Sequence, residues 1–129
     1  MVSIQTLYKY GNNNFEPLIV LEKILDFVYK NDFFETGNLH MTVSKGEYGI
    51  EVSAFEDEND TVFGSAYIWL NGTGKEGITL CFVNHGALWF IEKIYYNPHD
   101  NDTFDSVIEV AKNLGVELHE DAIKKSKNE

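Results

Sequence analysis

The sequence predicts an α+β fold: a two-layer sandwich in which a five- to six-stranded antiparallel meander sheet carries two helices on one face. Three observations predict it. Two stretches, one toward each end, repeat their apolar residues at helical spacing, the segments between them alternate at a period of two, and the connections between those segments are short. Parallel neighbours need long crossovers, so short connections favour antiparallel pairing. A helix with one apolar stripe and a sheet with one apolar face bury each other as two layers.

The first helix is read from "FEPLIVLEKILDFVYKND". Pro17 suits a first turn, where a missing N–H costs nothing. Leu18, Leu21, Ile24, Leu25 and Val28 then recur on one side, and Glu22, Lys23, Asp26 and Lys30 take the other, so the helix runs from about Glu16 to Lys30.

From Leu39 the period changes. Leu39, Met41 and Val43 alternate with His40, Thr42 and Ser44, and Lys45-Gly46 offers a turn. Tyr48, Ile50, Val52 and Ala54 alternate with Glu47, Gly49, Glu51, Ser53 and Phe55, ahead of the charged loop "EDEND". Thr61 to Leu70, Ile78 to Val83 and Ala87 to Tyr96 supply three more strands, joined by "NGTGKEG" and "NHG".

The second helix carries Phe104, Val107, Ile108, Ala111 and Leu114, with Gly115 where a C-terminal cap belongs. Asp102 or Thr103 is expected as N-cap and Asp105 in the first turn, where its charge favours the helix dipole. That explains the acidic cluster "NPHDNDTFD" without a metal. Counted from Asp100, the sixth and twelfth places hold Asp105 and Ala111, where a calcium loop of the EF-hand type wants glycine and glutamate. "VELHE" ends the pattern as a short strand, with Val116 and Leu118 facing one way.

Composition sets the remaining bounds. The 129 residues are read as one domain, 1–129, with a tail from Lys124 to Glu129 expected to fray. No apolar run approaches the roughly 18 residues of a membrane span. "MVSIQTLYKYGNNN" lacks the pattern of a secretory signal, and Cys81 is the lone cysteine, so a reducing, cytoplasmic location is expected. Ten lysines face twenty-one carboxylates, there is no arginine, and the formal net charge is −11. A phosphate backbone and an anionic membrane would both be repelled, which argues against nucleic-acid and membrane partners. Use of lysine without arginine, with abundant Asn and Ile, fits an AT-rich bacterial genome.

No motif carries catalysis or a cofactor. "NGTGKEG" joins two strands and ends in Gly-Lys-Glu, unlike a phosphate-binding loop, which opens a helix and ends in Gly-Lys-Ser/Thr. His40 is the best general-acid candidate of the four histidines, with Glu47 or Glu51 on the neighbouring strand as partner. Cys81 lacks an adjacent histidine or helix N-terminus to activate it, and reads as a packed thiol.

The informative feature is the second face of the sheet. With Ile50, Val52, Ile68, Leu70, Leu80 and Phe82 toward the helices, Phe55, Phe63, Tyr67, Trp69 and Cys81 point the other way. On the last strand, Trp89, Ile91, Lys93 and Tyr95 alternate with Leu88, Phe90, Glu92, Ile94 and Tyr96, so either parity leaves large rings outside the helix-covered layer. Open faces of antiparallel sheets are normally polar. Such rings mark an interface or a ligand site, unless the sheet curls or Ile4 to Tyr10 folds across them. The expected binding residues are Glu47, Glu51, Glu56, Asp57, Glu58 and Asp60 for charge, and Tyr67 and Trp69 as anchors for a basic protein. A small, acidic, single-domain chain without catalytic motifs resembles in profile the bacterial immunity proteins, which neutralise toxic nucleases by covering a basic active site. The resemblance implies no role for any individual residue. The alternatives are a homodimeric structural or regulatory domain that uses the same face on itself, and a small-ligand binder or enzyme with a pocket between helices and sheet, centred on His40 and Cys81.

Overall fold

A computed structural model gives the fold. It describes residues 2–10, 16–30, 38–56, 61–69, 77–85, 88–98 and 104–120, with backbone alone at 16, 27–30, 38–39, 45, 56 and 85. The elements run β1 (Val2–Ser3), α1 (Ile4–Tyr10), α2 (Glu16–Lys30), β2 (Asn38–Lys45), β3 (Tyr48–Glu56), β4 (Val62–Trp69), β5 (Gly77–His85), β6 (Leu88–Tyr96), α3 (Asp105–Asn113) and β7 (Glu117–Glu120). Strands β2 to β6 are antiparallel neighbours in chain order, the meander that the short connections predict. The outer edge of β6 is shared. β1 pairs antiparallel with Phe90 and Ile91, and β7 pairs parallel with Lys93 through Tyr96. The parallel exception has a physical reason: β7 is reached through α3, the crossover that a parallel neighbour requires.

Among the described residues three helices, rather than two, cover one face. The segment from Ile4 to Tyr10 lies on the core side and does not cross the other face, because its apolar residues sit at helical spacing. Ile4 and Leu7 are buried in the same cluster as Leu18, Leu21 and Leu25 of α2. Ser3 caps this short helix. Its hydroxyl accepts the Thr6 backbone N–H at 3.0 Å and lies 2.6 Å from the Thr6 hydroxyl.

At α3 the N-cap position belongs to Phe104, which makes no side-chain cap bond. The residues expected there, Asp102 and Thr103, lie outside the described residues, as do Asp100 and the tail from 124 to 129. Asp105 is the first residue of the helix. The Phe104 ring is only 2% exposed, and Val107 and Ala111 are buried beside it while Ile108 is half-buried. Docking is therefore through Phe104, Val107 and Ala111, while Leu114, read on the same stripe, is exposed. The helix ends as Gly115 predicts: Val116 N–H donates to the Ala111 carbonyl at 2.9 Å and Gly115 N–H to that of Lys112 at 3.2 Å. Gly115 has φ +81°, the left-handed conformation that this cap demands.

One irregularity decides which residues face where. Cys81 pairs with Lys93, but the next pair is Phe82 with Ile91, so Glu92 is an extra residue in β6. The bulge switches the parity of the strand. Ile91 and Ile94, three positions apart, are both fully buried against the helices, and Trp89 and Tyr96 pack on the same core. The either-or expected for β6 is thus resolved by using both parities.

Candidate functional site

The face that no described helix covers is organised as cross-strand rows, because residues paired across an antiparallel ladder point to the same side. The first row is apolar: Phe55, Phe63, Val83 and Phe90 follow one another across β3 to β6. The Phe55 and Phe63 rings stack at 5.7 Å. Val83 is buried although it points away from the helices, while Phe55 is 48% exposed. The next row is small and polar, running His40, Ser53, Ser65, Cys81 and Lys93 from β2 to β6. A third row mixes the two characters, with Thr42, Glu51, Tyr67, Thr79, Tyr95 and His119 in sequence. At the far end Trp69 stands opposite Gly49.

A side-chain methyl at Gly49 would collide with the Trp69 indole, so the ring lies across the glycine. Tyr67 stacks on Trp69 from the same strand at 5.9 Å. The open face thus presents two stacked aromatic pairs with a row of small residues between them.

That polar row, from His40 to Cys81, forms the floor of a shallow groove of about 610 Å³. Phe55 and Phe63 wall it on one side, the sheet backbone at Ala54, Gly64 and Phe82 contributes to its floor, and His40 and Glu92 stand toward its two ends. His40 Nε2 lies 3.7 Å from a Glu51 carboxylate oxygen, with both side chains largely exposed. Burial pushes the Cys81 thiol above its ordinary pKa; Lys93 opposes that rise and Glu92 adds to it. At the β7 margin the His119 ring stacks on Tyr95 at 4.9 Å. His119 Nε2 comes within 2.9 Å of Glu117, without the directionality of a hydrogen bond.

The structure brings together part of the expected site. Glu51 and Tyr67 are direct cross-strand partners on the open face, and Trp69 is two residues beyond Tyr67. Glu47 is exposed in the tight turn between β2 and β3, one position later than the Lys45-Gly46 turn expected. Glu56 ends β3, and Asp57, Glu58 and Asp60 lie outside the described residues. Reading the sequence missed Glu92, whose place beside the groove depends on the bulge. It also missed the ladder of Ser53 and Ser65, whose signal is the pairing register of β2 to β5.

His40 and Cys81 do line one groove, but on the open face and not between helices and sheet. Their register partners, Ser53 and Ser65, hold them there. The seam between helices and sheet has a separate groove of about 930 Å³, lined by Tyr8, Ile19, Trp89 and Phe90 with Glu22, Lys23 and Asp26 among its polar residues. No described helix is long and apolar enough to cross a membrane. Fold and face together define an α+β domain with one helix-covered layer and one aromatic, carboxylate-bearing sheet surface. Comparison with protein-family models, curated proteins and solved structures gives no match.

Proposed function

We propose that this chain is an acidic protein-binding domain that lays its open sheet face on a basic protein, acting as an inhibitor or immunity protein for a partner such as a toxin nuclease. The observation that carries the reading is the cross-strand pairing of Glu51 with Tyr67, a member of one of two stacked aromatic pairs, on a face that no described helix covers. Aromatic rings give a large contact area with few torsions to freeze, and carboxylates around them select a cationic partner. A net charge of −11 acts in the same direction over longer range. It also opposes the homodimer alternative, since two copies of this face would meet with like charge.

Capture from the native host with wild-type protein and with Tyr67→Ala, followed by mass spectrometry and a nuclease assay of what is captured, tests the proposal. A basic nuclease that is retained by the wild type, lost with the variant and inhibited by the purified chain is the expected result. Retention of the same proteins by both, or a captured nuclease that keeps full activity, would refute it.

A further inference from the structure

We propose that the groove across β2 to β6 is an arginine site: an extended segment of the basic partner lays a guanidinium group along the Ser53–Ser65–Cys81 floor, between the Phe55–Phe63 wall and the Glu92 carboxylate. This deepens the protein-binding reading and rests on it.

Four features point to a guanidinium ion. The groove measures about 610 Å³, larger than one side chain needs and within the usual ~300–1,000 Å³ of formed binding sites. Its wall is a stacked phenylalanine pair, and a planar, weakly hydrated cation lies well against such rings. Its floor offers hydroxyl oxygens at Ser53 and Ser65, which accept hydrogen bonds from a fork of N–H donors. Its charge is also complementary. Glu92 lines the groove and Glu51 borders it at His40, while the one lysine on this face among the described residues, Lys93, is not among the residues that line it. The contribution of Glu92 to the raised Cys81 pKa, behind burial and against Lys93, fits a carboxylate close to the groove floor. The chain has no arginine of its own to occupy the site.

Cys81 provides the reporter, because it is the only thiol and lies on the groove floor. The probes are a tetra-arginine peptide, tetra-lysine at equal charge, and tetra-citrulline as its neutral isostere. Iodoacetamide alkylation of Cys81 and calorimetry are read for each. Tetra-arginine should protect Cys81 several-fold, tetra-lysine clearly less, and tetra-citrulline not at all. Ser53→Trp, at an exposed position that fills the groove, and the isosteric Glu92→Gln should each weaken tetra-arginine binding by about tenfold or more, as loss of an anchor site or a charge partner commonly does. Glu109→Gln, on the exposed side of α3, should leave it unchanged.

Failure to protect Cys81, equal binding of the arginine and lysine peptides, protection by tetra-citrulline, or wild-type affinity in Glu92→Gln would each overturn the arginine site. Its failure is distinguishable from that of the wider reading. A nuclease held equally by wild type, Ser53→Trp and Glu92→Gln removes the arginine site and keeps the binding face. Protection by tetra-arginine with no protein captured keeps the site and removes the nuclease partner.

Discussion

The Trp69 indole lies flat across Gly49 on the neighbouring strand, filling the place where any other residue would put its side chain. The ring closes over a position that would otherwise leave the sheet backbone bare, and Tyr67 stacks against it in turn. Gly49→Ala should force the indole off the sheet and cost about 1–3 kcal/mol, the range for overpacked sites. The cost should largely vanish in a Trp69→Ala background, so a double-mutant cycle by urea unfolding should show strong coupling. Simple additivity of the two changes would mean that ring and glycine do not touch.

Rings held in this way bear on the kinetics of partner binding. Neutralising Glu47 and Glu51 should slow association and flatten its salt dependence, because exposed charges act through a field screened over about 8 Å at physiological salt. Tyr67→Ala should instead speed dissociation at least tenfold, corresponding to about 1.4 kcal/mol, with association little changed. Surface plasmon resonance at two salt concentrations separates the effects. Unchanged rates in both variants would move the binding surface elsewhere.

Phe104 tests the helix layer. Truncating a ring that is only 2% exposed should destabilise by about 3–5 kcal/mol in denaturant unfolding. A loss below about 1 kcal/mol would place the ring outside the core.

Gly115 isolates a backbone effect. A side-chain methyl there would meet nothing within 4 Å, yet φ is +81°. Gly115→Ala should therefore cost about 1–2 kcal/mol through left-handed strain alone. Gly115→Asn should cost less, because asparagine tolerates that region better. Equal costs for the two substitutions, measured by thermal unfolding, would argue against the cap geometry.

Cys81 gives a pH dependence of defined sign. Its pKa is raised in the folded chain, chiefly by burial, so the unfolded chain loses its thiol proton first as pH rises. Stability from this group is complete below the ordinary thiol pKa and declines as pH climbs from there through the raised value. Cys81→Ser should remove that part of the slope in unfolding experiments between neutral and alkaline pH. An unchanged slope would contradict the assignment.

What could be read from the sequence follows from how far each signal reaches along the chain. The helix from Glu16 to Lys30 and the strands from Asn38 to Tyr96 repeat their pattern over many residues, so period alone identifies them. The seven residues of α1 give the pattern barely two turns. Its local signal is Ser3 three places before Thr6, with Ile4 and Leu7 spaced to share a face. The bulge at Glu92 leaves no trace in its own neighbourhood. It is set by the need to bury both Ile91 and Ile94 against helices that are remote in sequence, and the groove inherits Glu92 from that requirement. The aromatic residues of the open face were legible by alternation, but their arrangement into rows depends on the register between strands.

The shared edge of β6 also fixes an order of events during synthesis. The hairpins from β2 to β5 are local and can pair as they emerge from the ribosome. β1 must wait for Phe90 and Ile91, almost ninety residues downstream, and β7 closes the remaining half of the edge only after α3 has formed. At translation rates of about 5–20 residues per second, Val2 and Ser3 lack their β6 partners for roughly 5–20 s. During that interval the nascent chain shows a chaperone an apolar N-terminal turn and an unfinished strand edge, and those are the features to which holding factors bind.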